Sequence, residues 1–200
     1  MKLSIPTRRL LSIDPSSRGG LGIAISEIGE LGMVNLYANT VDLSYQAKLH
    51  NIKDTHYERS MLLSKTIASF GKAWSIEHVV CEGNYYRGLP QPFKVLTQVV
   101  ESIRLGSSIF LGHGDIEIID PTTVKMAVGV KSRGTDKEDM RKAVLSGLLG
   151  LTLLDEPFYL DMSEHAIDAI AIGYAHFIRS PEYEYFKTCS SARHRINQEG

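Results

Sequence analysis

The sequence predicts an α/β fold: a mixed central β-sheet, antiparallel through its first three strands and flanked by α-helices. Three observations carry this expectation. Short apolar runs separated by Gly-rich turns open the chain, longer stretches with apolar residues at helical spacing follow, and strand-like and helix-like segments then alternate. Strands joined by tight turns pair antiparallel, whereas a strand reached through a helix can return parallel to the first.

The first run, residues 10–13, closes on Asp14 and leads into a turn through Pro15 to Gly20. Residues 21–26 form a second strand. After the turn at 29–32, residues 33–37 alternate with period two, giving a third strand joined by a short hairpin. Over 55–74, Met61, Leu62, Ile67, Ala68 and Phe70 recur at roughly helical spacing, with Gly71 near the end. A helix therefore precedes the apolar run 78–81, which closes on Glu82. That run fits a central strand parallel to the first, making Asp14 and Glu82 neighbours.

Residues 92–106 are amphipathic, with Val95, Leu96, Val99, Val100 and Ile103 on one stripe, and 116–119 read as a strand stopping at Asp120-Pro121. Helices are expected at 137–149 and 163–177, the second N-capped by Ser163. The chain divides into a lead over 1–9, one domain over 10–180 and a mobile tail over 181–200. Neither internal repeats nor low-complexity linkers interrupt it.

With 200 residues, 43% of them hydrophobic, the chain can bury a single sizeable core. It contains no apolar run of roughly 18 residues and no apolar leader, so a soluble intracellular protein is expected. Cys81 and Cys189 lack disulfide or metal-ligand patterning and read as free thiols. A net charge of -1 gives no general affinity for phosphate, so nucleic-acid binding would need local patches. One such patch is Lys125, Lys131, Arg133, Lys137, Arg141 and Lys142, and the tail adds Lys187, Arg193, His194 and Arg195. On charge alone a solvated helical face is the favoured reading of this run.

Asp14 stands at the carboxyl end of the first strand, where open α/β sheets place ligands, although an Asp before Pro also caps turns. Glu82 ends an apolar strand beside Cys81 and Gly83, which offer no counter-charge; it could reach solvent, or hold a cation. His165 and Asp168 are three residues apart and share a helix face amid Ile167, Ile170 and Ile172. Asp161 falls outside a helix capped by Ser163, and Glu164 is turned roughly 100° from its neighbour, so both rank below His165. Three carboxylates and an imidazole make a site for two divalent cations roughly 4 Å apart, Mg²⁺ or, given the histidine, Mn²⁺.

Taken together these segments resemble the RuvC family of Holliday-junction resolvases, of the RNase H-like superfamily. The resemblance rests on Leu11-Ser12-Ile13-Asp14-Pro15 with its small and basic followers, on Val79-Val80-Cys81-Glu82, on Pro121-Thr122-Thr123-Val124-Lys125 with the later Asp136-Lys137, and on His165-Ala166-Ile167-Asp168-Ala169. These matches fall in the family's order over about 10–175. The resemblance implies a structure-selective endonuclease that resolves four-way DNA junctions by paired, metal-dependent phosphodiester hydrolysis. It implies Asp14, Glu82, His165 and Asp168 as metal ligands and Lys125 and Lys137 as contacts to DNA phosphate; Lys131 and Arg133, from the basic patch, are expected to extend the DNA contact. Tyr85, with Tyr86 an equal candidate by chemistry, would stack on junction bases. The helix at 92–106 would mediate a homodimer, matching a two-fold symmetric junction. The cytoplasm of a bacterial or phage-infected cell is the implied location.

The chain departs from the family pattern in its balanced charge, a longer interval between Lys125 and Lys137, and rearranged glycines around Lys131 to Gly134, which leaves substrate preference open. Actin-like phosphotransferases share such a fold but need two domains, and nothing here repeats. An RNA-processing or nucleic-acid-binding protein of the same fold is the alternative.

Overall fold

The computed structural model describes residues 6–16, 20–49, 51–53, 55–83, 90–131, 137–154 and 161–196. Its strands are β1 (Arg8–Asp14), β2 (Gly20–Gly29), β3 (Gly32–Asp42), β4 (His78–Glu82), β5 (Glu117–Ile119) and β6 (Leu151–Leu153). Its helices are α1 (Leu43–Leu49), α2 (His56–Ala73), α3 (Pro90–Leu111), α4 (Pro121–Ala127), α5 (Lys137–Leu145), α6 (Glu164–Phe177) and α7 (Pro181–Ile196).

The six strands form one sheet in the order β5-β4-β1-β2-β3-β6. As the spacing of turns predicts, β1, β2 and β3 pair antiparallel, and β4 returns through α2 to pair parallel with β1. Strand alternation then assigns each side chain a face. Leu11, Ile13, Val79 and Cys81 join the core under α2 and α3, with Leu63, Ile67, Val100 and Ile103. Leu10, Val80 and Ile119 face α6 instead, with Ala166, Ile167, Ile170 and Phe177. By the same parity, Asp14, Glu82, His78 and Glu117 belong to the α6 face of the sheet.

α6 is buried along nearly its whole length. Ile167, Ile170, Ile172 and Phe177 are essentially inaccessible, and each stabilises the fold by about 1.5–3 kcal/mol through burial. Its N-terminus is set by Ser163, whose Oγ accepts from the amide of Ala166 at 3.2 Å, as the cap prediction requires.

Several elements differ from expectation. α5 ends at Leu145, because Gly147 and Gly150 adopt φ of 90° and 79° and turn the chain so that β6 can pair with β3. α1 and α4 are short helices not anticipated; α4 is nucleated by Asp120, whose Oδ1 accepts from the amide of Thr122 at 2.7 Å, with Pro121 in the first turn. The tail expected to be mobile instead forms α7 over Pro181–Ile196, because Tyr183 and Phe186 pack on Phe177 with ring centroids 5.2 and 6.2 Å away. Of the α3 stripe, Val100 and Ile103 belong to the chain's own core, and Val95 and Leu96 are half-buried. Exposed apolar residues nearby include Leu105 and Ile109 of α3, with Tyr57 and Met61 of α2. No helix among the described residues is long and apolar enough to cross a membrane.

Candidate active site

β1 and β4 run parallel with Ile13 opposite Cys81, so Asp14 and Glu82 follow at adjacent strand ends. Asp14 lies opposite Gly22 of β2. Gly22 is what admits α6 to this point: a Cβ there would lie 1.9 Å from the carbonyl oxygen of His165. The close approach carries His165 to Asp14, with Nδ1 2.6 Å from Oδ2. Ser163 also hydrogen-bonds Thr40 of β3, which ties the helix start to the sheet.

The carboxylates crowd one another. Burial, reinforced by the charges of Asp14 and Asp168, pushes the Glu82 carboxyl up to about 8. Burial and the charge of Asp14 push Asp168 up to about 6, opposed by His165. The hydrogen bond that His165 Nδ1 donates to Asp14 raises the imidazole above its ordinary value. Lys125 is a favourable charge acting on Glu82, whereas Asp120 adds a further repulsion. Lys137 is ion-paired with Glu164, and that hydrogen bond, followed by the Glu164, Asp168 and Asp14 charges, raises its ammonium group.

The structure thus brings Asp14, His165, Asp168 and Glu82 into one electrostatic neighbourhood, with Lys125 and Lys137 at its edge. Direct contact occurs between Asp14 and His165. Glu164 turns to Lys137, and Asp161 is exposed outside α6. Lys131 is exposed beyond α4, while Arg133, Tyr85 and Tyr86 lie outside the described residues.

No protein-family model matches the sequence, and no curated protein does. Solved structures do match. RuvC from Thermus thermophilus, in complex with Holliday junction substrate, is 19% identical, with a TM-score of 0.63 over 86% of this chain and 94% of that one. A second Thermus thermophilus RuvC structure gives a TM-score of 0.62 at 19% identity, over 86% of this chain and 95% of its own. The yeast mitochondrial Holliday junction resolvase Ydc2 gives 0.66 at 13% identity, over 95% of this chain and 86% of its own. The chain has the RuvC-like, RNase H-like fold. The fold expected from the sequence is therefore found.

Within this RuvC-like fold, sequence reasoning missed Gly22, Asp120 and a second cluster. Gly22 was legible as a glycine inside an apolar strand, a mark of close backbone approach. Asp120 was read as a strand end, although Asp-Pro is also a helix-start signal. The cluster is His78, Glu117 and His176, whose ligand atoms lie within 4.8 Å of one another; the four expected ligands do not gather so tightly.

Proposed function

We propose that the chain is a divalent-metal-dependent endonuclease acting on four-way DNA junctions. The observation that carries this is the crowding of Asp14, Glu82 and Asp168 on the α6 face, severe enough to push two of the three carboxyls up to about 8 and about 6. Such a donor set fits hard divalent cations: it is rich in oxygen, partly desolvated and short of counter-charge. Mg²⁺ or Mn²⁺, when bound, would supply activation of water and stabilisation of charge developing on the phosphate.

The chain's own residues divide the remaining work. Asp14, Glu82 and Asp168 would hold the cations, Glu82 and Asp168 giving up their protons to do so. His165, hydrogen-bonded to Asp14, fixes that carboxylate and adds a nitrogen donor. Lys125 and Lys137 bind phosphate beside the scissile bond, Lys137 leaving Glu164 for the stronger anion. Lys131, Arg133 and Tyr85 extend the DNA contact. Two copies, meeting through the exposed Tyr57, Met61, Leu105 and Ile109, would present paired sites to a two-fold symmetric substrate.

The test is cleavage of a labelled synthetic four-way junction and its linear duplex in Mg²⁺, Mn²⁺ and EDTA, with Asp14→Asn as control. Paired, metal-dependent nicks in the junction are expected. Cutting of RNA in preference to the junction, or no cutting in either metal with Asp14→Asn indistinguishable from wild type, would refute the reading.

A further inference from the structure

α6 carries His165 at one end and His176 eleven residues later, about 16 Å along the axis at 1.5 Å per residue. β4 likewise carries Glu82 at its carboxyl end and His78 at its start, both on the α6 face. The two poles of the same helix and strand therefore bear two groups of ligating side chains, and the second is unused by the proposed nuclease chemistry.

At this second pole three donor atoms converge. His176 Nδ1 lies 2.6 Å from Glu117 Oε2, and His78 Nε2 lies 3.6 Å from the same oxygen. The imidazoles lie close together, with centroids 4.7 Å apart and planes tilted by 31°. His78 Nε2 is shielded from solvent, and its contact with Glu117 Oε2, at 3.6 Å, is longer than an ordinary hydrogen bond. A nitrogen in that state either loses free energy or has a ligand.

We propose that His78, Glu117 and His176 form a Zn²⁺ site that staples the starts of β4 and β5 to the end of α6. Two imidazoles and one carboxylate select a borderline transition metal over Mg²⁺. At zinc bond lengths of about 2.0–2.1 Å, tetrahedral neighbours sit about 3.3 Å apart, so the 3.6 Å contact is already suitable and the 2.6 Å contact opens by under ~1 Å. A water completes the shell.

The surrounding charges permit this. Arg179 Nη1 lies 3.4 Å from Glu117 Oε1, which leaves Oε2 for the ion. Arg8 is held by Glu182, at 3.0 Å through Nε and 3.1 Å through Nη2, while Nη2 also lies 3.2 Å from His176 Nε2. Zinc at Nδ1 moves the imidazole proton to Nε2, so Arg8 must withdraw toward Glu182. Arg8 is accordingly a competitor of the metal.

The experiment is equilibrium dialysis of EDTA-treated full chain against Zn²⁺ in excess Mg²⁺, in an Asp14→Asn background that disables the other zinc-competent site, with Co²⁺ absorption as a second readout. One retained equivalent is expected, with visible bands of tetrahedral Co²⁺, and more than tenfold weaker binding in His78→Gln, whose side chain is one-third exposed and replaceable without disturbing the core. Zinc at a hundredfold excess over its Kd should also raise the Tm of wild type by about 5 °C, and that of His78→Gln by none. Should Asp14→Asn not fold, the Co²⁺ spectra of wild type and His78→Gln in excess Mg²⁺ decide. Failure to retain zinc, or equal retention in His78→Gln, overturns the proposal.

Discussion

Replacing Glu82 with Gln should stabilise the cation-free protein while abolishing the proposed nuclease activity. In the native fold the Glu82 carboxyl stands at about 8 against an ordinary 4.5. At ~1.4 kcal/mol per pH unit, ionising it costs about 5 kcal/mol more than in the unfolded chain. Asp14 and Asp168 share in that repulsion and solvent screens part of it, so Glu82→Gln should recover about 2–4 kcal/mol. The sign follows from proton uptake: between pH 4.5 and about 8 the native state holds a proton that the unfolded state has released, so wild type loses stability as pH rises. The advantage of Glu82→Gln is therefore absent below pH 4.5 and complete above about pH 8. Urea unfolding in EDTA at acid and alkaline pH measures it, and saturating Mn²⁺ should reverse the order by stabilising wild type alone. Coincident midpoints at alkaline pH, or a gain that does not depend on pH, would refute the reasoning.

Three further outcomes are expected. The affinity for Mn²⁺ should rise with pH through the interval from about 6 to about 8, because Asp168 and Glu82 must shed protons to bind it; titrations at either end of that interval check this. Lys137→Ala should lower the salt dependence of junction binding by about one in log-log slope, while leaving the urea midpoint unchanged because its ion pair is exposed. Gly22→Ala places a methyl group against the His165 carbonyl and should cost about 2–4 kcal/mol in unfolding free energy, with loss of cleavage; an unaltered midpoint would show that α6 is not seated as described.

Much of the fold was legible because its decisive elements are long or sharply patterned. β1 and β4 are apolar runs that end on acids, and α6 is apolar nearly all round with a Ser cap, so Asp14, Glu82, His165 and Asp168 could be read as one neighbourhood. Short elements carry too few residues to show a period, which is why α1 and β6 were not foreseen. α7 looks polar in sequence, and only the aromatic contacts of Tyr183 and Phe186 with Phe177 show why it docks. His78, Glu117 and His176 are distant in sequence and meet through sheet register, Val80 opposite Glu117, together with the length of α6. No local motif announces such a meeting.

The glycine that admits α6 at Gly22 has a counterpart within the helix itself. A Cβ on Gly173 would meet Ser12 Oγ at 2.8 Å and Met33 Cε at 3.0 Å. The helix therefore rests in two notches, one near its start and one eight residues after His165, about 12 Å apart. A rod held at two points can neither tilt nor roll without lifting out of both, and close packing resists that. In the proposed catalytic cycle α6 should consequently behave as a fixed rail: any opening around a bound substrate has to come from the elements around the carboxylates, with His165 and Asp168 held in place.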